Sequence, residues 1–306
     1  MLARGNGAAA VAVAIAVAAL TLLTQLGGVI FLVAFVIGKR ASAQGGLEAL
    51  AVTVLFVGLY AGSSLSVVPA LAKFSGRVPL PCSGVPAHAY RAASPLYRVF
   101  NRHYVDPRLL ELVEALSSEI ARAYPGAVTL YLDANFPLLD GFPLPPHLSH
   151  HDGRKLDLAF YYASEQGTYL PGLMRSPIGY WAFEEPRPGD PAPCAESTGW
   201  PTLRWDMVFL ERFYPQRSLE PERTRTALQW LVRSGPSFGV EKIFIEPHLA
   251  ARLGVSSRLL RFQGCRAARH DDQITSKSRP DGSGQGSVSR ERKNCTRSAL
   301  SDGLSM

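Results

Sequence analysis

His147-Leu148-Ser149-His150-His151-Asp152-Gly153-Arg154-Lys155-Leu156-Asp157-Leu158-Ala159-Phe160-Tyr161-Tyr162 is the stretch on which the fold turns. Its first half is polar and holds three histidines. From Leu156 it is apolar except for Asp157. The spacing predicts a loop that turns at Gly153 and enters a strand over 156–162. Glycine suits a tight turn because it adopts positive φ at no steric cost. His150 and Asp157 flank that turn. A loop imidazole and a strand carboxylate can meet on one metal ion, and zinc accepts N and O ligands, with one position left open in a catalytic site. The same residues also fit a solvated polar loop, and the motif alone leaves both readings standing.

The flanking sequence predicts the rest of the domain. Asp106-Pro107 opens a helix, with Asp as N-cap and Pro in the first turn. Leu109, Leu112, Val113, Leu116 and Ile120 then form one apolar stripe. Val128–Leu132 and Lys242–Ile245 read as strands, Pro221–Arg233 as a helix, and Pro247–Leu253 as a short helix. Pro-rich loops cover 137–153 and 185–201. Strands separated by helices and long loops, without regular βαβ alternation, predict an α+β fold with a small antiparallel sheet and flanking helices.

Further out, the charge is uneven. The chain has 32 basic and 25 acidic residues, a net charge of +7. Residues 1–80 hold Arg4, Lys39, Arg40, Lys73 and Arg77 against Glu48 alone, and the stretch from 275 on is also basic, so the middle is neutral. That distribution excludes a basic nucleic-acid face on the folded domain. No charge occurs between Arg4 and Lys39, and a second charge-free run covers Ala49–Ala72. We expect a transmembrane helical hairpin in residues 1–78, with spans of about 12–37 and 49–71. The Lys39-Arg40 loop then faces the cytoplasm and the soluble domain lies outside, in a bacterium the periplasm. A cleaved signal peptide ending at Ala41-Ser42-Ala43 is the competing reading. It is disfavoured because the apolar run exceeds an ordinary signal core.

Cys82, Cys194, Cys265 and Cys295 make no C-x-x-C pair. One disulfide among the first three would suit an oxidising compartment. Isolated thiols fit equally well. No P-loop, G-x-S-x-G or dinucleotide fingerprint occurs. Tyr180–Glu185 reads as a strand entering a charged loop rather than a groove lining. Trp205-Asp206 and Trp230 read as core edges, His103 as structural, and His248 as a capping or surface residue, while His88 has no evident partner.

Ser149-His150-His151-Asp152-Gly153…Asp157 resembles the S-H-x-x-G-x-x-x-D motif of the penicillin-insensitive murein endopeptidases, zinc peptidases of the lysostaphin and D-Ala-D-Ala metallopeptidase type. Gly239-Val240-Glu241-Lys242-Ile243-Phe244-Ile245-Glu246-Pro247 is similar to their strand and turn before the last metal motif. Arg269-His270-Asp271-Asp272 is similar to the start of their closing H-D-x-H-x-H segment. The resemblance leaves out the N-terminal helices. It implies zinc held by His150 and Asp157, a third ligand from the closing motif, a metal that polarises the scissile carbonyl, and cross-link peptides of peptidoglycan as substrate.

The closing motif departs from that pattern. Gln273, Ile274 and Thr275 stand where H-x-H is expected, and Thr275 occupies the third-ligand position. His270 is the catalytic candidate and the best replacement ligand, ahead of His151 and His248. Apolar alternation also stops here, so 79–274 is expected to be the domain and 275–306 a disordered basic tail. A reading-frame change accounts for the break. Codons ATC CAC ATC CAA GTC GCG CCC G for Ile-His-Ile-Gln-Val-Ala-Pro, less one C, read Ile-Thr-Ser-Lys-Ser-Arg-Pro, which is Ile274–Pro280. A native disordered tail is the alternative. The functional expectation is a membrane-anchored zinc endopeptidase of peptidoglycan, impaired by the missing ligand. The alternative is an inactive descendant that at most binds cell wall.

Overall fold

The strand expected at 156–162 forms over Lys155–Ala159 and lies near the centre of a six-stranded sheet. The computed structural model describes residues 3–41, 47–81, 89–145, 147–195 and 208–280. Cys82, His88, Trp205, Asp206, Cys295, the Ser42-Ala43 pair and the tail from 281 on lie outside them.

The sheet strands are β1 (Tyr90–Ala92), β2 (Thr129–Tyr131), β3 (Lys155–Ala159), β4 (Val240–Phe244), β5 (Leu260–Arg261) and β6 (Gln273–Ser278). Their order is β1-β2-β3-β6-β4-β5. The four central strands pair antiparallel, but both edge pairs are parallel. The sheet is therefore mixed, and the expectation of a purely antiparallel one is corrected. A parallel neighbour needs a crossover. The helix Pro107–Ala123 supplies it between β1 and β2, and Pro247–Arg252 supplies it between β4 and β5.

Four helices precede these: α1 (Ala3–Thr24), α2 (Gly27–Ala41), α3 (Glu48–Gly62) and α4 (Val68–Ala72). The two crossover helices are α5 (Pro107–Ala123) and α7 (Pro247–Arg252), with α6 (Pro221–Ser234) between them. The Asp106 carboxylate caps α5 by accepting the Arg108 N–H, as expected. Leu109, Leu112, Leu116 and Ile120 of α5 and Leu228 and Leu231 of α6 share one core with Leu156, Leu158, Ile243 and Ile274 of the sheet. Strand residues alternate between faces, so Lys155, Asp157, Gln273 and Thr275 belong to the opposite face.

β6 corrects the sequence reading most. It carries Thr275–Ser278, expected in the tail, into the middle of the sheet between β3 and β4. Ser276 pairs with Leu156 and with Ile243 on the core face, and Ser278 pairs with Val240. Both serine hydroxyls are buried without a hydrogen-bond partner among the described residues.

The membrane-like segment also differs. The single span expected at 12–37 is broken at Gln25-Leu26 into α1 and α2. Gln25 takes a φ of 69°, and the Thr24 hydroxyl accepts the Gly27 N–H at 2.7 Å. Gly27 and Gly28 allow the close return, because a Cβ on Gly28 would collide with the Thr21 hydroxyl and the Val17 carbonyl. α3 continues through a π-helical turn, Ser63–Val67, into α4. Gly7–Thr24 and Glu48–Ser75 are long and apolar enough to cross a membrane.

These helices meet the domain at one end. The Gln25 side chain accepts the Leu138 N–H at 2.9 Å and donates to the Leu139 carbonyl at 3.5 Å. The Tyr60 hydroxyl donates to the Val99 carbonyl, and Asn101 donates to Tyr60 and Ser64. Leu26 packs with Val68, Ala72 and Tyr104. The α1–α2 turn and the second half of α3 therefore face the domain. Arg4, Lys39, Arg40 and Glu48 lie at the far ends of their helices.

Candidate metal centre

Asp157 is the middle residue of β3 and is fully buried on the face away from the helical core. The loop before it returns through Gly153, whose φ is 78°. Asn135 holds that turn, accepting the Gly153 N–H and donating to the Lys155 carbonyl. The loop thereby sets two histidines over the strand. His150 Nε2 is 3.2 Å from Asp157 Oδ1, and His147 Nδ1 is 3.2 Å from Asp157 Oδ2. The donor atoms of all three residues lie within 4.8 Å of one another, and all three residues are buried.

The donor set fits a metal ion. Two nitrogens and a carboxylate are ligands that zinc accepts, and one donor atom from each residue lies close enough to the others to share an ion. His150 Nδ1 sits 2.7 Å from the Ala134 carbonyl, the kind of second contact that orients a ligand imidazole and aims Nε2 at the ion. His147 Nδ1 is buried and makes no hydrogen bond among the described residues. A cation among these atoms would satisfy it. Burial alone would raise the Asp157 pKa, but the neighbouring imidazoles outweigh that and hold the carboxylate well below its usual range.

Around the group, the Tyr180 hydroxyl donates to Asp157 Oδ2 at 2.8 Å and accepts the Asp133 N–H. Arg102 pairs bidentately with Asp133, 2.6 Å at each contact. Trp181, next to Tyr180, has a φ of 64°, a strained conformation for a bulky residue, and its N–H is taken by Asp272. Lys155 stands two residues before Asp157 on the same face. Its ammonium donates to Ser149 and lies 4.9 Å from the Phe244 ring centroid, and burial pulls its pKa down to about 8.

The sequence-derived candidates divide. His150 and Asp157 come together across the Gly153 turn. Thr275 lies opposite Asp157 in β6 and donates its hydroxyl to the Asp157 carboxylate. His270, expected as the replacement ligand, is not part of the group of three. It is buried, packs 5.6 Å from the Phe244 ring centroid, and its Nδ1 has no partner among the described residues; burial takes its pKa down to about 3. His151 is exposed. His248 is buried and bonded to the Glu184 carbonyl, so the capping or surface reading is corrected. His103 is buried against Tyr104. Trp230 is in the core, stacked on Phe238. Tyr180–Glu185 forms no strand, and Tyr180 enters the site instead.

His147 and Tyr180 are the residues missed. His147 leads the quoted loop, and His147-x-x-His150 was open to reading as a ligand pair. Nothing local marked Tyr180. Cys194 and Cys265 form a disulfide that ties the 185–195 loop to the segment leading into His270. No protein-family model matches the chain, and no curated protein matches it.

Proposed function

We propose that the chain is a membrane-anchored zinc amide hydrolase of the murein endopeptidase type, acting on D-amino-acid amide bonds in peptidoglycan cross-links outside the cytoplasmic membrane. The observation that carries this is the buried His147–His150–Asp157 donor group on the central strand. His147, His150 and Asp157 would hold the ion. Zinc supplies Lewis acidity toward a carbonyl and activates water. The chain's own groups do the rest. Tyr180 and Ala134 orient the ligands, and the Lys155 ammonium adds positive charge on the face where an amide oxygen gains negative charge. The Cys194–Cys265 disulfide and the three positive charges at the far helix ends favour a domain on the oxidising side of a bacterial inner membrane.

The test is digestion of cross-linked muropeptides by the full-length protein in detergent. The expected products carry one new amine and one new carboxylate, and they vanish with a chelator or in His150→Ala. Metal-loaded protein that leaves every cross-link intact would overturn hydrolysis.

β6 favours a second reading, a metal-binding but catalytically impaired form. Ser276 and Ser278 occupy core-facing positions with orphaned hydroxyls. Restoring the other frame puts Ile at 276, Val at 278 and His at 275, which supports the reading of residues 275 onward as out of frame. The nucleotide sequence around Ile274 tests this.

A further inference from the structure

One N-terminal helix is shorter than a bilayer, and another meets the domain partway along its length. α2 has 15 residues, about 22 Å at ~1.5 Å per residue, against a hydrocarbon thickness of about 30 Å. Both its ends are fixed. Lys39 and Arg40 close one, and at the other the Gln25-Leu26 turn is bonded to the domain. The helix that starts at Glu48 runs on through Ser75, and Tyr60, about 18 Å from its start at ~1.5 Å per residue, already touches the domain through Val99. Measured along α2, roughly 8 Å of hydrocarbon extends beyond the level where domain and helices meet.

The groups at that level are apolar and exposed. Val99, in the single turn Leu96–Val99, is 52% exposed and Leu96 is 43% exposed; Leu139, beside Gln25, is 58% exposed. Their polar surroundings are already satisfied. The Val99 carbonyl is taken by Tyr60, the Leu138 N–H and Leu139 carbonyl by Gln25, and the exposed Asp140 carboxylate by Arg77. Irregular backbone enters lipid only when its polar groups are paired within the protein. Phe74, 88% exposed beside Lys73 where the helix ends, is the kind of aromatic and basic pair found at a membrane boundary.

We infer that the domain is seated in the bilayer, with Leu96, Val99 and Leu139 inserted into lipid on its own side of the membrane. This rests on the reading that α1 to α3 cross a membrane. The 137–153 loop, which carries His147 and His150, then begins at the lipid surface, and the site serves membrane-proximal substrate.

The test uses the full chain with Cys82→Ser and Cys295→Ser, in vesicles of phosphatidylethanolamine and phosphatidylglycerol. Nitroxides are placed singly at Val99→Cys, Leu139→Cys, Val57→Cys in α3 and Arg122→Cys on the exposed face of α5. Collision with oxygen reports lipid, and collision with a nickel chelate reports water. The labels at 99 and 139 are expected to favour oxygen, as the label at 57 does, with the label at 122 reversed. Nickel preference at 99 and 139 with oxygen preference at 57 overturns seating and leaves the span intact. Nickel preference at 57 as well overturns both.

Discussion

Thr275 and Asp157 face each other on adjacent antiparallel strands, and the Thr275 hydroxyl donates to the Asp157 carboxylate. Any side chain at 275 therefore stands beside the carboxylate of the candidate metal-binding group. Thr275→His, combined with Ser276→Ile and Ser278→Val to restore an apolar core face, is expected to tighten zinc binding by tenfold or more, about 1.4 kcal/mol. Competition against a chelator of known affinity measures it. Unchanged affinity in a folded variant counts against position 275 as a lost ligand.

His147 and His270 make opposite predictions. Removing His147 takes away a donor 3.2 Å from Asp157, so His147→Ala should lose stoichiometric metal, as should His150→Ala and Asp157→Ala. His270→Ala should keep it. Elemental analysis of the purified full-length proteins decides, and equal retention in His147→Ala and His270→Ala contradicts the ligand assignment.

Ser276 places a buried hydroxyl, without a partner among the described residues, between Leu156 and Ile243. Leaving such a group unpaired costs about 1–3 kcal/mol. Ser276→Ala should therefore raise the thermal midpoint in detergent. A fall would mean that the hydroxyl has a partner after all.

Lys155 has its pKa lowered to about 8, with burial the largest cause. The unfolded chain holds this proton up to about pH 10.4. The folded chain gives it up earlier, so the penalty for burying the charge is full below pH 8 and fades as pH rises. Stability of the metal-free protein should rise between about pH 8 and 10.4 from this group, and Lys155→Met should remove that rise. Thermal unfolding across that range, wild type against variant, reads it.

Gly153 has positive φ, and a Cβ there would come 2.8 Å from Arg77 Nε. Gly153→Ala should destabilise the protein by about 1–2 kcal/mol from the backbone alone, and weaken metal binding because the turn carries His150 toward Asp157. Unaltered melting and metal content would show that the turn tolerates a side chain.

The helices α5 and α6 were legible in the sequence because caps and apolar periodicity act within one segment. His150 and Asp157 were legible because one short turn joins them. The rest depends on distant partners. Tyr180 reaches Asp157 from 23 residues away, with no local pattern to mark it. β6 reads as polar tail because Thr275, Ser276 and Ser278 lack strand patterning, yet the pairing capacity of β3 and β4 on either side holds it. The α1–α2 break is hidden by uniform hydropathy, and only Gln25 and its two glycines betray it.

Arg77 leaves the last N-terminal helix, is nearly fully buried, and donates to the Phe136 carbonyl and to Asp140 beneath the Gly153 turn. The N-terminal helical segment therefore reaches into the scaffold of the candidate metal loop. It is not an interchangeable tether. Transplanting the domain behind a foreign transmembrane segment, or secreting it from Val78 onward, would leave an empty channel under the loop and two carbonyl and carboxylate acceptors without their donor. Grafts that keep Arg77 and its approach from α4 are the ones expected to assemble.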